Sequence, residues 1–153
     1  MPIFQTAVYD FPDIDVVDDV WEGRKPGYIY GRFGLPNHAA LESIVARLEK
    51  GEAAIASASG MGSIAVALWT ILHAGDEVVV ANDSYGGTLS LVSNEFSRIG
   101  IPCRLVPSTN LSALESALTP QTKALLVETL SNPLWNVADV RQLADLCHSK
   151  GVK

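Results

Sequence analysis

The run "EVVVA", residues 77–81, constrains this chain more than any other stretch. It is short, β-branched and apolar on both faces, so it needs cover above and below, as a strand inside a parallel sheet does. Three further pieces read as strands: "AAIAS" at residues 53–57, "IPCRLV" at 101–106 and "KALLVET" at 123–129. Between them lie helical patterns. "NHAALESIVARLEKG" spaces Leu41, Ile44, Val45 and Leu48 along one helical face, with Asn37 as N-cap and Gly51 as stop. A second helix begins near Ser59 and ends about His73, before "AGD". "GGTLSLVSNEFSRIG", "NLSALESAL" and "ADVRQLADLCHSKG" follow, the last closed by Gly151. Strand and helix alternate throughout, which predicts an α/β fold: a mostly parallel sheet with helices on both faces.

A chain of 153 residues, 48% hydrophobic and 18% charged, is long enough and apolar enough to bury a core. Its formal charge of −6 supplies no electrostatic footprint for nucleic acid. No apolar run is long enough to span a bilayer, and the opening "MPIFQTAVYDF" lacks the basic start and apolar core of a signal peptide, so the expected compartment is the cytoplasm, with no membrane partner. Cys103 and Cys147 fit reduced core thiols better than a disulfide framework, and His38, His73 and His148 show no metal-ligand spacing.

In parallel α/β sheets, ligands sit beyond the carboxyl ends of the strands. That rule selects three loops: "SASGMG", "NDSYGGT" and "ETLSNP". In the first, Gly60 and Gly62 bare the backbone where a helix begins, and unpaired first-turn amides with the helix dipole suit a phosphate. A plain Ser/Gly cap packed under a strand is the other reading. In the second, Tyr85 precedes two glycines, so its ring can lie on a planar cofactor with its hydroxyl available for proton transfer, or pack on the sheet edge. In the third, Glu128 and Asn132 can orient a ring or polar ligand group, although Asn before Pro133 is also an ordinary turn signal. Upstream, Tyr30 and Arg32 lie two residues apart; in an extended segment they would point the same way and clamp a phosphate, or leave an exposed arginine beside core tyrosines.

Taken in order, "YGR", "LESIVARLEKGEAAIASASGMGS", "AGDEVV", "SYGGT" and "ALLVETLSNP" resemble the Cys/Met-metabolism, or transsulfuration, family of pyridoxal-phosphate (PLP) enzymes, which includes cystathionine synthases and lyases, O-acyl-homoserine sulfhydrylases and methionine γ-lyase. The resemblance runs from "PIFQTAVYDF" to "SKGVK". It implies the large domain of a fold-type I PLP-dependent transferase, incomplete here, with residues 1–36 as an amino-terminal arm and 37–153 as the first part of the PLP-binding domain. It also implies that the amides of Gly60 and Met61 receive the cofactor phosphate and that Tyr85 lies over the pyridine ring. Asn132 would stand near the ring hydroxyl, while Tyr30 and Arg32 would reach the phosphate of a neighbouring subunit in a homodimer or homotetramer; Glu128, read from its place after the strand, joins the cofactor-binding candidates.

The match departs from the family pattern in places. Leu35 and Asn37 replace the asparagine and threonine that usually follow the arginine, Leu130 stands where proline is common, and Gly87 where methionine γ-lyases often carry cysteine. The resemblance places the aspartate for the pyridine nitrogen and the Schiff-base lysine beyond Lys153. The expected activity of the complete protein is β- or γ-elimination or replacement on a sulfur-containing or homoserine-derived amino acid, with Tyr85 as the catalytic candidate. The 153-residue chain alone is expected to be inactive. The alternative is a non-catalytic domain that binds a phosphorylated ligand or a partner chain.

Overall fold

A computed structural model describes residues 2–153, which divide into two compact units, one ending at Ser57 and one running from Ala58 to Lys153. In the second unit three parallel strands form a sheet in the order β2-β1-β3: β1 Glu77–Ala81, β2 Cys103–Val106 and β3 Thr122–Leu126. β1 is central because it has the least to offer water. Val78, Val79 and Val80 are all fully buried, and hiding each contributes about 1.5–3 kcal/mol.

Alternation along β1 divides the core between the two faces. Val78 and Val80 pack with Leu68 of α3 (Gly60–Ile71), with Leu72 just after it, and with Val92, Phe96 and Ile101. Val79 packs on the opposite side with Val106, with Leu114 and Ala117 of α5 (Leu111–Ala117), and with Leu143 of α6 (Val140–Ser149). Helices therefore cover both faces, as the sequence predicts. α4 (Gly86–Ser90) continues into a π-helical turn, Leu91–Phe96, that carries Val92 and Phe96 into the core. Asn110 and Asp139 cap α5 and α6 through their side chains, and Gly151, in the left-handed region at φ 71°, closes the turn after α6. The chain then runs along β3, where Lys153 exchanges backbone hydrogen bonds with Lys123 and Leu125 at 2.9 Å.

The first unit holds α1 (Ile14–Trp21) and α2 (Pro36–Glu49), with one antiparallel bridge between Val8 and Tyr30. Three expectations fail here. "AAIAS" is not a strand: Ile55 is 82% exposed, and the Ala56 amide, which a sheet would need, donates instead to Glu42 Oε1 at 2.8 Å. The described sheet therefore has three strands rather than four. Asn37 does not cap α2, which starts one residue earlier at Pro36 with Leu35 at the cap position. The Asn37 amide is occupied elsewhere, accepting from Phe4 N at 3.1 Å and donating to Phe4 O at 2.9 Å, and so ties the start of the chain to the helix. α2 stops at Lys50, which takes the left-handed conformation at φ 56°, rather than at Gly51. Leu41, Ile44, Val45 and Leu48 do share a helical face, but they remain exposed.

Candidate functional site

The loops that leave β1 and β3 converge at the carboxyl ends of the strands. Tyr85 sits at the cap position of α4, and its backbone N–H donates to Glu128 Oε1, just past β3, at 2.7 Å. Its carbonyl accepts from Leu89 N at 3.0 Å, so the residue is held from both sides. The residue stays 63% exposed, and its ring lies across Gly87: a Cβ there would stand 2.5 Å from Tyr85 Cε1 and 3.3 Å from Met61 Sδ. With no side chain at Gly87 the Tyr85 ring lies close over the backbone there, where the start of α4 meets the start of α3; a Cβ would make the exposed ring turn aside. Thr88 Oγ1 also reaches Met61 Sδ, at 4.0 Å.

Ser59 caps α3, with its hydroxyl accepting from Gly62 N at 3.0 Å. Gly60 and Met61 precede the first intrahelical donor, so their amides point out of the helix start. Nothing lies within 4 Å of where a Cβ on Gly60 would stand, and the same holds for Gly86. The cradle is open on the side where the backbone is bare. Four residues singled out from the sequence, Gly60, Met61, Tyr85 and Glu128, are therefore linked in one neighbourhood.

Asn132 lies on the tip of a hairpin, residues 129–138, and is exposed; a cis peptide joins it to Pro133. The hairpin is closed by the Leu130–Val137 bridge and by Ser131 N donating to Asn136 O at 3.0 Å. Tyr30 and Arg32 belong to the first unit. Their segment is a turn, not the extended piece expected, since Phe33 N donates to Tyr30 O at 2.9 Å. The two side chains still meet: the Arg32 guanidinium lies 5.4 Å from the Tyr30 ring centroid and 5.3 Å from that of Phe33.

Sequence reasoning passed over a polar cluster beneath the hairpin. Asp83 Oδ2 accepts from Ser108 Oγ at 2.7 Å and from Asn136 Nδ2 at 2.9 Å. Burial works against the charge on Asp83, but the donors on Asn136, Ser108 and Ser131 outweigh it and hold the carboxyl below its ordinary range. Next to it, the Ser84 hydroxyl is buried without a hydrogen-bond partner among the described residues. The one signal that pointed to this cluster was Asp83's place, two residues before Tyr85 in a loop already selected.

A family model described as "Cys/Met metabolism PLP-dependent enzyme" matches residues 1–153. The chain belongs to that family. It is 37% identical over 150 residues to L-methionine gamma-lyase of Pseudomonas putida, covering 98% of this chain and 38% of that protein. It is 36% identical over 152 residues to cystathionine gamma-lyase of Bacillus subtilis, covering 99% and 38%. Among solved structures, a putative O-acetylhomoserine (thiol)-lyase from Campylobacter jejuni, which carries a pyridoxyl-lysine monophosphate, superposes with a TM-score of 0.89 at 32% identity, over 99% of this chain and 38% of that one. The chain thus spans 38% of the length of these relatives.

The residues of this PLP-family chain fit a phosphorylated planar cofactor. The open helix start at Gly60 suits an anion, exposed Tyr85 stands beside it, and the Thr88 Oγ1–Met61 Sδ contact joins the two helix starts. The described residues contain no group of three or more His, Cys, Asp or Glu placed to hold a metal ion, and none of their helices is long and apolar enough to cross a membrane.

Proposed function

We propose that the protein containing this chain is a PLP-dependent lyase or transferase that carries out β- or γ-elimination or replacement on sulfur-containing or homoserine-derived amino acids. The observation that carries this reading is the juxtaposition of the bare start of α3 with the Tyr85 ring, in a chain of this family. When bound, the cofactor withdraws electrons from the substrate α-carbon. This chain's residues supply the setting. The Gly60 and Met61 amides hold the phosphate at the positive end of α3. Tyr85 covers one ring face and moves a proton at its hydroxyl, while Glu128 fixes the Tyr85 backbone and so the ring's height above the site. Asn132, at the hairpin tip, orients the ring from its polar edge.

Residues 1–36 serve as an arm, and residues 37–153 begin the cofactor-binding domain. Tyr30 and Arg32 act on the phosphate of a neighbouring subunit, so the working unit is a homodimer or homotetramer; the exposed pairing of a phenol with a guanidinium supports this. The protein works in the cytoplasm. The test is turnover. The full-length protein, supplied with PLP and offered methionine, cystathionine or an O-acyl-homoserine, should release a 2-oxo acid or exchange its γ-substituent. Tyr85→Phe should slow this by at least about tenfold while cofactor binding persists. Cofactor binding with no turnover of any member of that class would reject the activity.

A further inference from the structure

The loops that follow all three strands meet at a single carboxylate oxygen. Asp83 belongs to the loop after β1, Ser108 to the loop after β2, and Asn136 to the hairpin after β3; the hydroxyl and the amide both donate to Asp83 Oδ2, at 2.7 and 2.9 Å. The bond from Asn136 spans 53 residues of sequence and that from Ser108 spans 25. Asn136 is itself set by its neighbours: its N–H donates to Ser131 Oγ at 3.2 Å and its carbonyl accepts from Ser131 N. Ser108 and Ser131 are both buried, so water does not compete freely for these groups.

The hairpin needs such an anchor. Trp135 adopts the left-handed conformation at φ 56°, which is unfavourable for a bulky residue and persists only where the surroundings enforce it. Its N–H donates to Ser131 O at 3.0 Å, and the next residue is the one that reaches Asp83. Trp135 itself is 73% exposed, so no packing of its ring accounts for the conformation.

We infer that Asp83 is the positioning residue of the site, anchoring the hairpin 129–138 through Asn136 so that Asn132 is held at a fixed place relative to Tyr85, two residues after Asp83. This rests on the functional reading above for what Asn132 and Tyr85 face, but the anchor itself is a property of the polypeptide. Its ionised state suits the task, since one oxygen accepts two donors and offers none to repel them.

The experiment uses the full-length protein and three forms: wild type, Asn136→Asp and the exchanged pair Asp83→Asn with Asn136→Asp. Asn136→Asp sets two carboxylates at hydrogen-bond distance and breaks the anchor. The exchange restores one amide facing one carboxylate: the amide nitrogen introduced at position 83 takes the place of Oδ2 and donates one N–H to the carboxylate introduced at position 136 and the other to the Ser108 hydroxyl, which now accepts. Hydrogen–deuterium exchange over residues 129–138 is read without cofactor, and the visible circular dichroism of added PLP is read afterwards. The expected result is exchange at least about tenfold faster in Asn136→Asp, with a weakened cofactor band, and recovery of both in the double variant. Unchanged exchange in Asn136→Asp, no recovery in the double variant, or faster exchange with an unaltered cofactor band would each overturn the inference. A wild-type protein that shows no cofactor band fails the functional reading instead, and is distinguished by exchange data taken without PLP.

Discussion

Glu128 Oε1 accepts the backbone N–H of Tyr85 at 2.7 Å, joining the loop after β3 to the cap of α4 across 43 positions of sequence. The bond fixes the backbone of the residue whose ring is proposed to cover the cofactor, while the residue itself stays exposed. One oxygen of a carboxylate that stands at the ligand-binding end of the sheet is thus committed to the scaffold.

Glu128→Ala leaves that amide to solvent and should cost about 1 kcal/mol locally, read as roughly fivefold faster amide exchange at Tyr85. Glu128→Gln keeps a carbonyl acceptor at the same reach and should lie near wild type. Equal exchange rates in wild type and Glu128→Ala would show that the bond does not hold Tyr85.

At the opposite end of the sheet, Glu77 takes Arg104 Nη2 at 2.9 Å on one oxygen, and Thr122 Oγ1 at 2.9 Å and Thr119 Oγ1 at 3.2 Å on the other. Burial raises its pKa, but the donors on Arg104, Thr122 and Thr119 and the Arg104 charge prevail, so the folded value lies below the ordinary one. The unfolded chain then binds the proton more readily. This contribution to stability is complete above the unfolded value of about 4.3 and disappears as pH falls through the lowered folded value. Glu77→Gln should flatten the loss of stability below about pH 4.5 while lowering stability at pH 7. Denaturant midpoints measured from pH 7 to 3 check this, and an acid slope identical to wild type would contradict it.

How far the fold can be read from sequence depends on how local each cause is. β1 was legible because Val78, Val79 and Val80 advertise burial on both faces; α5 and α6 lie within stretches that read as helical, while their side-chain caps, Asn110 and Asp139, emerge only in the structure. "AAIAS" misled because small apolar residues suit a strand only if a neighbour offers hydrogen bonds; Glu42, fourteen positions away, takes the Ala56 amide instead. Asn37 misled for the same reason, its amide being drawn to Phe4. Within the site, Gly60, Met61 and Tyr85 carry signals in their own few residues. The Asp83–Asn136 and Tyr85–Glu128 bonds cross 53 and 43 positions and exist only because parallel strands bring distant loops to one end of the sheet.

In the first unit, Arg32 lies over the Tyr30 and Phe33 rings, which hold a long side chain in a defined place. In the full-length protein, Arg32→Ala should weaken cofactor retention by about 10- to 100-fold, the loss expected for one hydrogen bond to a charged phosphate. Arg32→Lys should recover part of it, keeping the charge but not the planar fork. Equilibrium dialysis of PLP against the three proteins checks the order, and Arg32→Ala with unchanged retention would remove Arg32 from the site.

The bare amides at the start of α3 are the centre of the proposed site, and one substitution addresses them alone. Gly60 is the first residue of the helix, a position that tolerates proline, and nothing within 4 Å obstructs a side chain there. Gly60→Pro deletes one N–H donor and leaves the helix, its Ser59 cap and the sheet intact. PLP affinity of the full-length wild type and Gly60→Pro, measured by equilibrium titration with fold checked by circular dichroism, should differ by about tenfold or more, the equivalent of one charge-assisted hydrogen bond. Equal affinities in two equally folded proteins would show that the phosphate is not held at this helix start.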